Sequence, residues 1–402
     1  MNTKKNILIV TYWSYNSALI KTYTLPYIDI IKSKLSNDST IYLLTLTAKS
    51  ETALNEYEAN YKELKQKNIQ LINFNYSPFG FNMFVKMFGI LLYLANFIYR
   101  KKVDVIHAWC TPGGAIGYVL SRLTGRPLIL DSFEPHAESM LETGTWQKTG
   151  LAYRLLFTLE KLQLKRAKHV ICAAQGMILY SKNVYGISKE NYFVKPACVD
   201  LNLFDPSGID SSLLIPGIDE TSVVCMYAGK FGDIYLSGEV FDFFVVARSF
   251  WGEKFKVLLL TNQSDDEILK FCEVSGLPFQ TIIKKFIPHN TVPAYMALSN
   301  FGICPVKPVP TKKYCTPIKN GEYWAMGLPV VITKDISVDS DLIEEYNIGY
   351  VLKNLTAKEY LYAVKKIDEL LKTTSLRHKI RAVAEKHRNY SIAHAIYSAI
   401  YV

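Results

Sequence analysis

The chain has 402 residues, 49% of them apolar and 20% charged, which is ample material for two hydrophobic cores rather than one. Its net charge of +10 comes from scattered Lys and Arg. No motif for RNA or DNA accompanies that charge, so an anionic substrate or an anionic membrane surface suits it better than nucleic acid. The seven cysteines (Cys110, Cys172, Cys198, Cys225, Cys272, Cys304, Cys315) are odd in number, widely spaced, and free of any CxxC pair. They read as reduced core thiols of a cytoplasmic protein, which argues against a disulfide framework or a zinc site.

The opening MNTKKNILIVTYW has an apolar stretch too short for a signal peptide and reads as a first core strand over Asn6 to Thr11. The loop from Tyr12 to Ser17, with Trp13, follows at its carboxyl end, where open parallel sheets bind ligands. Strands are expected at Thr40 to Leu46 and Gln70 to Phe74. The segment Pro78 to Tyr99 is long and apolar enough to be mistaken for a membrane span, but Asn82, Lys86 and Asn96 interrupt it. It reads as a helix with an unusually apolar surface; followed by Arg100-Lys101-Lys102, such a helix can rest on a bilayer, the competing reading being burial in the N-terminal domain. Strands at 103–108, 127–131 and 169–174 alternate with helices at 115–124 and 151–167, the pattern of a doubly wound parallel sheet. The proline-bearing stretch 193–206 marks a domain crossing near residues 196–220. The alternation then restarts, with strands at 222–228, 256–261, 281–286 and 301–306, helices between them, and two more helices at 357–373 and 375–388.

The most informative stretch is TPIKNGEYWAMGLPVV, residues 316–331. Thr316 suits an N-cap and Pro317 the first helical position, where its missing N–H costs nothing. Gly327 and Pro329 end the helix, and 328–333 reads as a buried strand. The first turn, through Lys319, Asn320 and Gly321, therefore presents unpaired amides and an ammonium, which is a phosphate site. Glu322, one turn on, is placed to accept hydrogen bonds from sugar hydroxyls. An ordinary capped helix is the plain alternative.

Six segments in order resemble the retaining family-4 glycosyltransferases of the GT-B fold, most closely bacterial enzymes of surface-polysaccharide assembly such as those of lipopolysaccharide or capsule. They are VDVIHAW (103–109) with GGAIGYVLSRLTGRPLILD (113–131), LEKLQLKRAKHVICAA (159–174), KPACVDLNLFDP (195–206), YAGKF (227–231) and PIKNGEYWAMGLPVV (317–331). The resemblance implies two Rossmann-like domains facing each other across a cleft. Residues 1–200 would bind the acceptor, 201–385 the nucleotide-sugar donor, and 386–402 would form a helix crossing back to the first domain. It implies transfer of a sugar with retention, to a glycan or lipid-linked acceptor, with no metal or other cofactor at the diphosphate.

By the same resemblance, Lys230 contacts the donor diphosphate, and Tyr235 stands near the place of a second cation, so that Lys319 takes a larger share. Glu322 matches the second glutamate of a paired motif and contacts the ribose; Tyr314 occupies the place of the first. Thr316, Asn320 and Gly321 complete the phosphate turn, and Phe286 to His289 lie where the nucleobase is held. On the acceptor side, Asp131, Glu134 and His136 follow a strand; His136 or Glu134 is a candidate to orient hydroxyls, and Gly113-Gly114 permits close backbone approach. His107 is better read as a buried, satisfied histidine. The rival readings are a sugar-nucleotide epimerase and a non-catalytic sugar-binding or scaffold subunit. A glycoside hydrolase has no use for the phosphate-binding helix.

Overall fold

The computed structural model describes residues 4–47, 62, 64–208 and 213–402. The expected crossing near 196–220 includes residues 209–212, which lie outside the described residues. The chain divides into two compact units, Met1–Lys195 with Ser391–Val402, and Pro196–Tyr390.

The first unit carries a seven-stranded parallel sheet. Its strands are β1 (Ile7–Val10), β2 (Ile41–Thr47), β3 (Ile69–Asn75), β4 (Val105–Trp109), β5 (Leu128–Phe133), β6 (His169–Cys172) and β7 (Tyr192–Val194), in the order β3-β2-β1-β4-β5-β6-β7. Continuous apolar runs such as ILIV and IYLLTLT are buried along their whole length. That is the signature of strands covered by helices on both faces, where alternation has no purpose. The order reverses between β1 and β4, which opens a crevice at the carboxyl ends of those strands.

The second unit repeats the logic with six parallel strands: β8 (Val223–Ala228), β9 (Phe255–Leu260), β10 (Ile282–Lys285), β11 (Phe301–Cys304), β12 (Val330–Thr333) and β13 (Gly349–Leu352). Their order, β10-β9-β8-β11-β12-β13, reverses between β8 and β11. A core of Phe241, Phe244, Leu258, Tyr323, Trp324 and Val331 is sealed between this sheet and its helices.

Several boundaries differ from the sequence reading. The helix expected from Ala115 starts at Cys110 and runs to Thr124, so Gly113 and Gly114 lie inside it rather than in the turn before it. Both are buried: a Cβ on Gly113 would stand 3.0 Å from the Val10 carbonyl oxygen, and one on Gly114 would overlap the Gln163 amide. These glycines let the helix sit against β1 and the neighbouring helix Leu151–Arg166. Ligand access is not their geometry. Strand β5 runs on to Phe133, which turns Asp131 into the sheet and buries it. Strands β7 and β13 and the helices Gly176–Tyr185 and Asp339–Tyr346 were not anticipated. The long apolar helix occupies Phe81–Arg100, but only Leu94 and Ile98 are buried, so its burial in the domain is ruled out.

The final helix, Tyr390–Tyr401, delivers residues of the first unit's polar core. Tyr397 donates to Asp131 at 2.7 Å, and the Tyr401 hydroxyl meets His107 Nδ1 at 2.6 Å. Asp131 also pairs with Lys195 at 3.0 Å and with His107 at 3.2 Å, all three fully buried. Burial opposes its charge, yet Lys195 and His107 hold its carboxyl well below the usual range. Lys195 is enclosed by aromatic rings, with the Tyr27 centroid 3.4 Å away. Burial also lowers the pKa of His107, which is here a satisfied core histidine.

Candidate functional site

In the second unit, the candidate phosphate residues gather at the β8/β11 reversal. Strand β8 ends at Ala228, and Gly229 follows with φ +149°, a conformation that favours glycine. A Cβ there would stand 2.7 Å from Lys319 Cε, so the glycine clears space for that side chain. Lys230, next in the chain, is exposed. The Lys319 ammonium donates to the Tyr235 hydroxyl at 2.9 Å and stands 4.2 Å from the centroid of its ring. Burial disfavours the charge on Lys319, but Tyr235, Cys304 and Glu322 together hold its pKa above the ordinary value.

The helix that carries Lys319 spans Ile318–Ala325, one residue shorter at its start than expected. Pro317, not Thr316, is its N-cap, and no side chain caps it. The first-turn amides are therefore free of a side-chain partner, as an anion site requires. Gly327, at φ +71°, closes the other end. Two residues expected to face a ligand turn inward instead. Asn320 is fully buried and donates to Asp339 at 2.6 Å. Gly321 is also buried, and a Cβ there would touch Arg388, Ala197 and Val199. Any contribution of theirs to a phosphate is through the backbone.

What holds this helix in place was not read from the sequence. Asp339 pairs with the buried Arg388 guanidinium, which lies 5.3 Å from the Trp324 ring. The Tyr323 hydroxyl accepts from the Ala228 amide at 3.2 Å, tying the helix to the end of β8. Asp339 and Arg388 are far apart in sequence and belong to no local pattern, so only the fold pairs them.

Glu322 is nearly buried, and its carboxylate meets His289 Nε2 at 2.8 Å. His289 also packs against Phe204, with centroids 5.5 Å apart. Phe286, just after β10, is 77% exposed and thus available for stacking. The residues HNT at 289–291 offered no signal of the Glu322 contact beyond lying in the expected nucleobase segment. Tyr314 ends a short 3-10 turn, Pro310–Tyr314, ahead of the helix.

In the first unit, Trp13 is half-buried in the loop after β1. His136 begins the helix His136–Glu142, and its Nδ1 lies 3.5 Å from the Glu134 carboxylate, both side chains partly open to solvent. Beneath them Glu160 is buried, accepting from the Ala137 amide at 2.8 Å and the Tyr185 hydroxyl at 2.7 Å. Burial pushes its carboxyl up to about 7. Asp131, in contrast, is removed from the candidate acceptor residues, because its carboxylate is spent on Lys195 and His107. No group of three or more His, Cys, Asp or Glu side chains is placed to hold a metal among the described residues.

No family model matches the sequence, and no curated protein matches it. Solved structures do. HepE from Anabaena, in complex with UDP-glucose, is 16% identical over 100% of this chain and 99% of its own, with a TM-score of 0.70. WaaG, a glycosyltransferase involved in lipopolysaccharide biosynthesis, is 14% identical over 98% of this chain and 99% of its own, with a TM-score of 0.69. A putative UDP-N-acetylglucosamine 2-epimerase from Listeria monocytogenes is 11% identical over 98% and 94%, with a TM-score of 0.60. The likeness shows the fold: two Rossmann-like α/β units of the GT-B type found in glycosyltransferases.

Proposed function

We propose that this protein is a retaining glycosyltransferase that moves a sugar from a nucleotide-sugar donor to a glycan or lipid-linked acceptor in bacterial surface-polysaccharide assembly. The observation that carries the reading is the placement of Lys319. It sits on an uncapped helix start, against a glycine, at the strand-order reversal of the second unit. That is where a parallel sheet of this order binds a nucleotide.

Transfer breaks the bond between the anomeric carbon and the donor phosphate, and the electron pair leaves with the diphosphate. Lys319, the exposed Lys230 and the positive end of the helix are assigned to that growing negative charge. No metal is required for this role. The acceptor hydroxyl attacks from the face the diphosphate leaves, and its proton passes to a donor phosphate oxygen. Glu322, aligned by His289, is assigned to the ribose hydroxyls, and Phe286 to the base. Thr316 flanks the phosphate turn. On the first unit, His136 with Glu134, and Trp13, are assigned to the acceptor. The HepE complex supports a uridine nucleotide as the first donor to try.

The fold likeness to an epimerase favours one second reading, in which a nucleotide sugar is converted to its epimer without an acceptor. Saturation-transfer NMR with a panel of nucleotides and nucleotide sugars tests the donor site. Selective binding of one nucleotide sugar, undiminished by a chelator and weakened in Lys319→Ala and Glu322→Ala, is expected. A folded protein that binds none of them would sink both enzymatic readings and leave a scaffold. Product analysis then separates the two enzymes, since a transferase turns over productively only when an acceptor is present.

A further inference from the structure

The helix Phe81–Arg100 presents five strongly exposed apolar side chains as one stripe, with Tyr93, 53% exposed, off it. Phe81 is 81% exposed, Val85 58%, Phe88 66%, Leu92 52% and Tyr99 56%. At about 100° per residue, these five positions fall within roughly 60° of one another around the helix. Leu94 and Ile98, the two buried positions, lie on the other side. There Phe97 packs on Tyr42 of β2, with centroids 4.9 Å apart, and Tyr93 on Phe74 of β3, at 5.7 Å. The carboxyl-terminal half is thus fastened to the sheet along its length. It cannot turn to cross a bilayer without losing those contacts, so the stripe faces outward from a helix lying flat.

The charge along the helix and directly after it has one sign. Arg100, Lys101 and Lys102 follow directly and are exposed, and Lys86 is exposed midway along. No Asp or Glu occurs anywhere from residue 64 to residue 103. A second copy of the chain would bring the same carboxylate-free surface and leave those cations without counter-charges. An anionic lipid surface offers both an apolar layer for the aromatic stripe and negative headgroups for the basic end.

We infer that this face docks the protein on an anionic phospholipid bilayer, with the Phe81, Val85, Phe88 and Leu92 side chains buried at the headgroup boundary. The inference goes beyond the donor-site reading and does not depend on it. Binding of the nucleotide sugar and binding of vesicles are separate measurements on separate units.

The test is co-sedimentation of the full chain with phosphatidylcholine vesicles and with vesicles carrying about one-third phosphatidylglycerol. The unsubstituted chain should bind the anionic vesicles and bind the neutral ones far more weakly. The variant F81S/F88S should lose about tenfold or more in partitioning, because two exposed rings no longer enter the interface. Charge reversal in K101E/K102E should weaken anionic binding by a similar factor and leave neutral binding unaltered. Both substituted pairs are on the surface, and an unchanged thermal midpoint verifies that the variants fold. In a separate Phe88→Trp variant, indole emission should shift to the blue on adding anionic vesicles. Failure of the unsubstituted chain to bind, equal binding to neutral vesicles, or undiminished binding of F81S/F88S would each overturn the inference. So would a dimer in sedimentation velocity that F81S/F88S dissociates, since the occupant would then be a second copy.

Discussion

The Lys319 ammonium is held twice by Tyr235, through a 2.9 Å hydrogen bond to the hydroxyl and through a ring centroid 4.2 Å away. A flexible lysine on a helix start has many rotamers to lose on binding a phosphate. Tyr235 removes most of that freedom beforehand.

Tyr235→Phe keeps the ring and deletes the hydroxyl. The kcat of sugar transfer should then fall about tenfold, the size of one charge-assisted hydrogen bond, while the thermal midpoint stays put. Lys319→Ala should cost about 100- to 1000-fold. Equal kcat in Tyr235→Phe and the unsubstituted protein would show that the lysine needs no such support.

Asp131 answers for two buried positive or polar neighbours, Lys195 and His107, and for the Tyr397 hydroxyl of the last helix. Asp131→Asn leaves the Lys195 charge without a counter-ion and should lower stability by about 3–5 kcal/mol in urea unfolding. Adding Lys195→Met should recover part of that loss, because the methionine can occupy the same aromatic cage without a charge. Since the Asp131 carboxyl is held below its ordinary value, its contribution is complete above about pH 4 and is lost as the pH falls further.

Glu160 behaves in the opposite sense. Its carboxyl is raised from 4.5 to about 7 by burial. Between those values the folded protein keeps a proton that the unfolded chain has released, so stability should decline as pH rises from about 4.5 to about 7. The decline should reach about 3 kcal/mol, and Glu160→Gln should flatten it. Unfolding midpoints in urea across that pH range provide the check. The same slope in Glu160→Gln would place the titration elsewhere.

The two parallel sheets were legible because β1, β2, β8, β9 and β12 are short apolar runs bounded by turn residues, and both sheets recur at the spacing of strand and helix. The helix that carries Lys319 was legible for a related reason: proline near a helix start and glycine at its end act through their own backbone geometry, which neighbours in space do not alter. Asp131 was misread because a carboxylate following a strand looks the same whether it meets solvent or a buried lysine 64 residues away.

Local chemistry along the chain thus determined the fold class, the alternation of strand and helix, and the first turn around Lys319. Only tertiary structure decided which polar groups were already committed. It spent Asn320 on Asp339, closed Gly114 with Gln163, joined His289 to Glu322, and left the Phe81 stripe uncovered. The physical reason is that periodicity and capping are properties of adjacent residues. Burial and pairing depend on what the fold brings from elsewhere, and a charged or apolar side chain carries no mark in sequence of the neighbour it will meet.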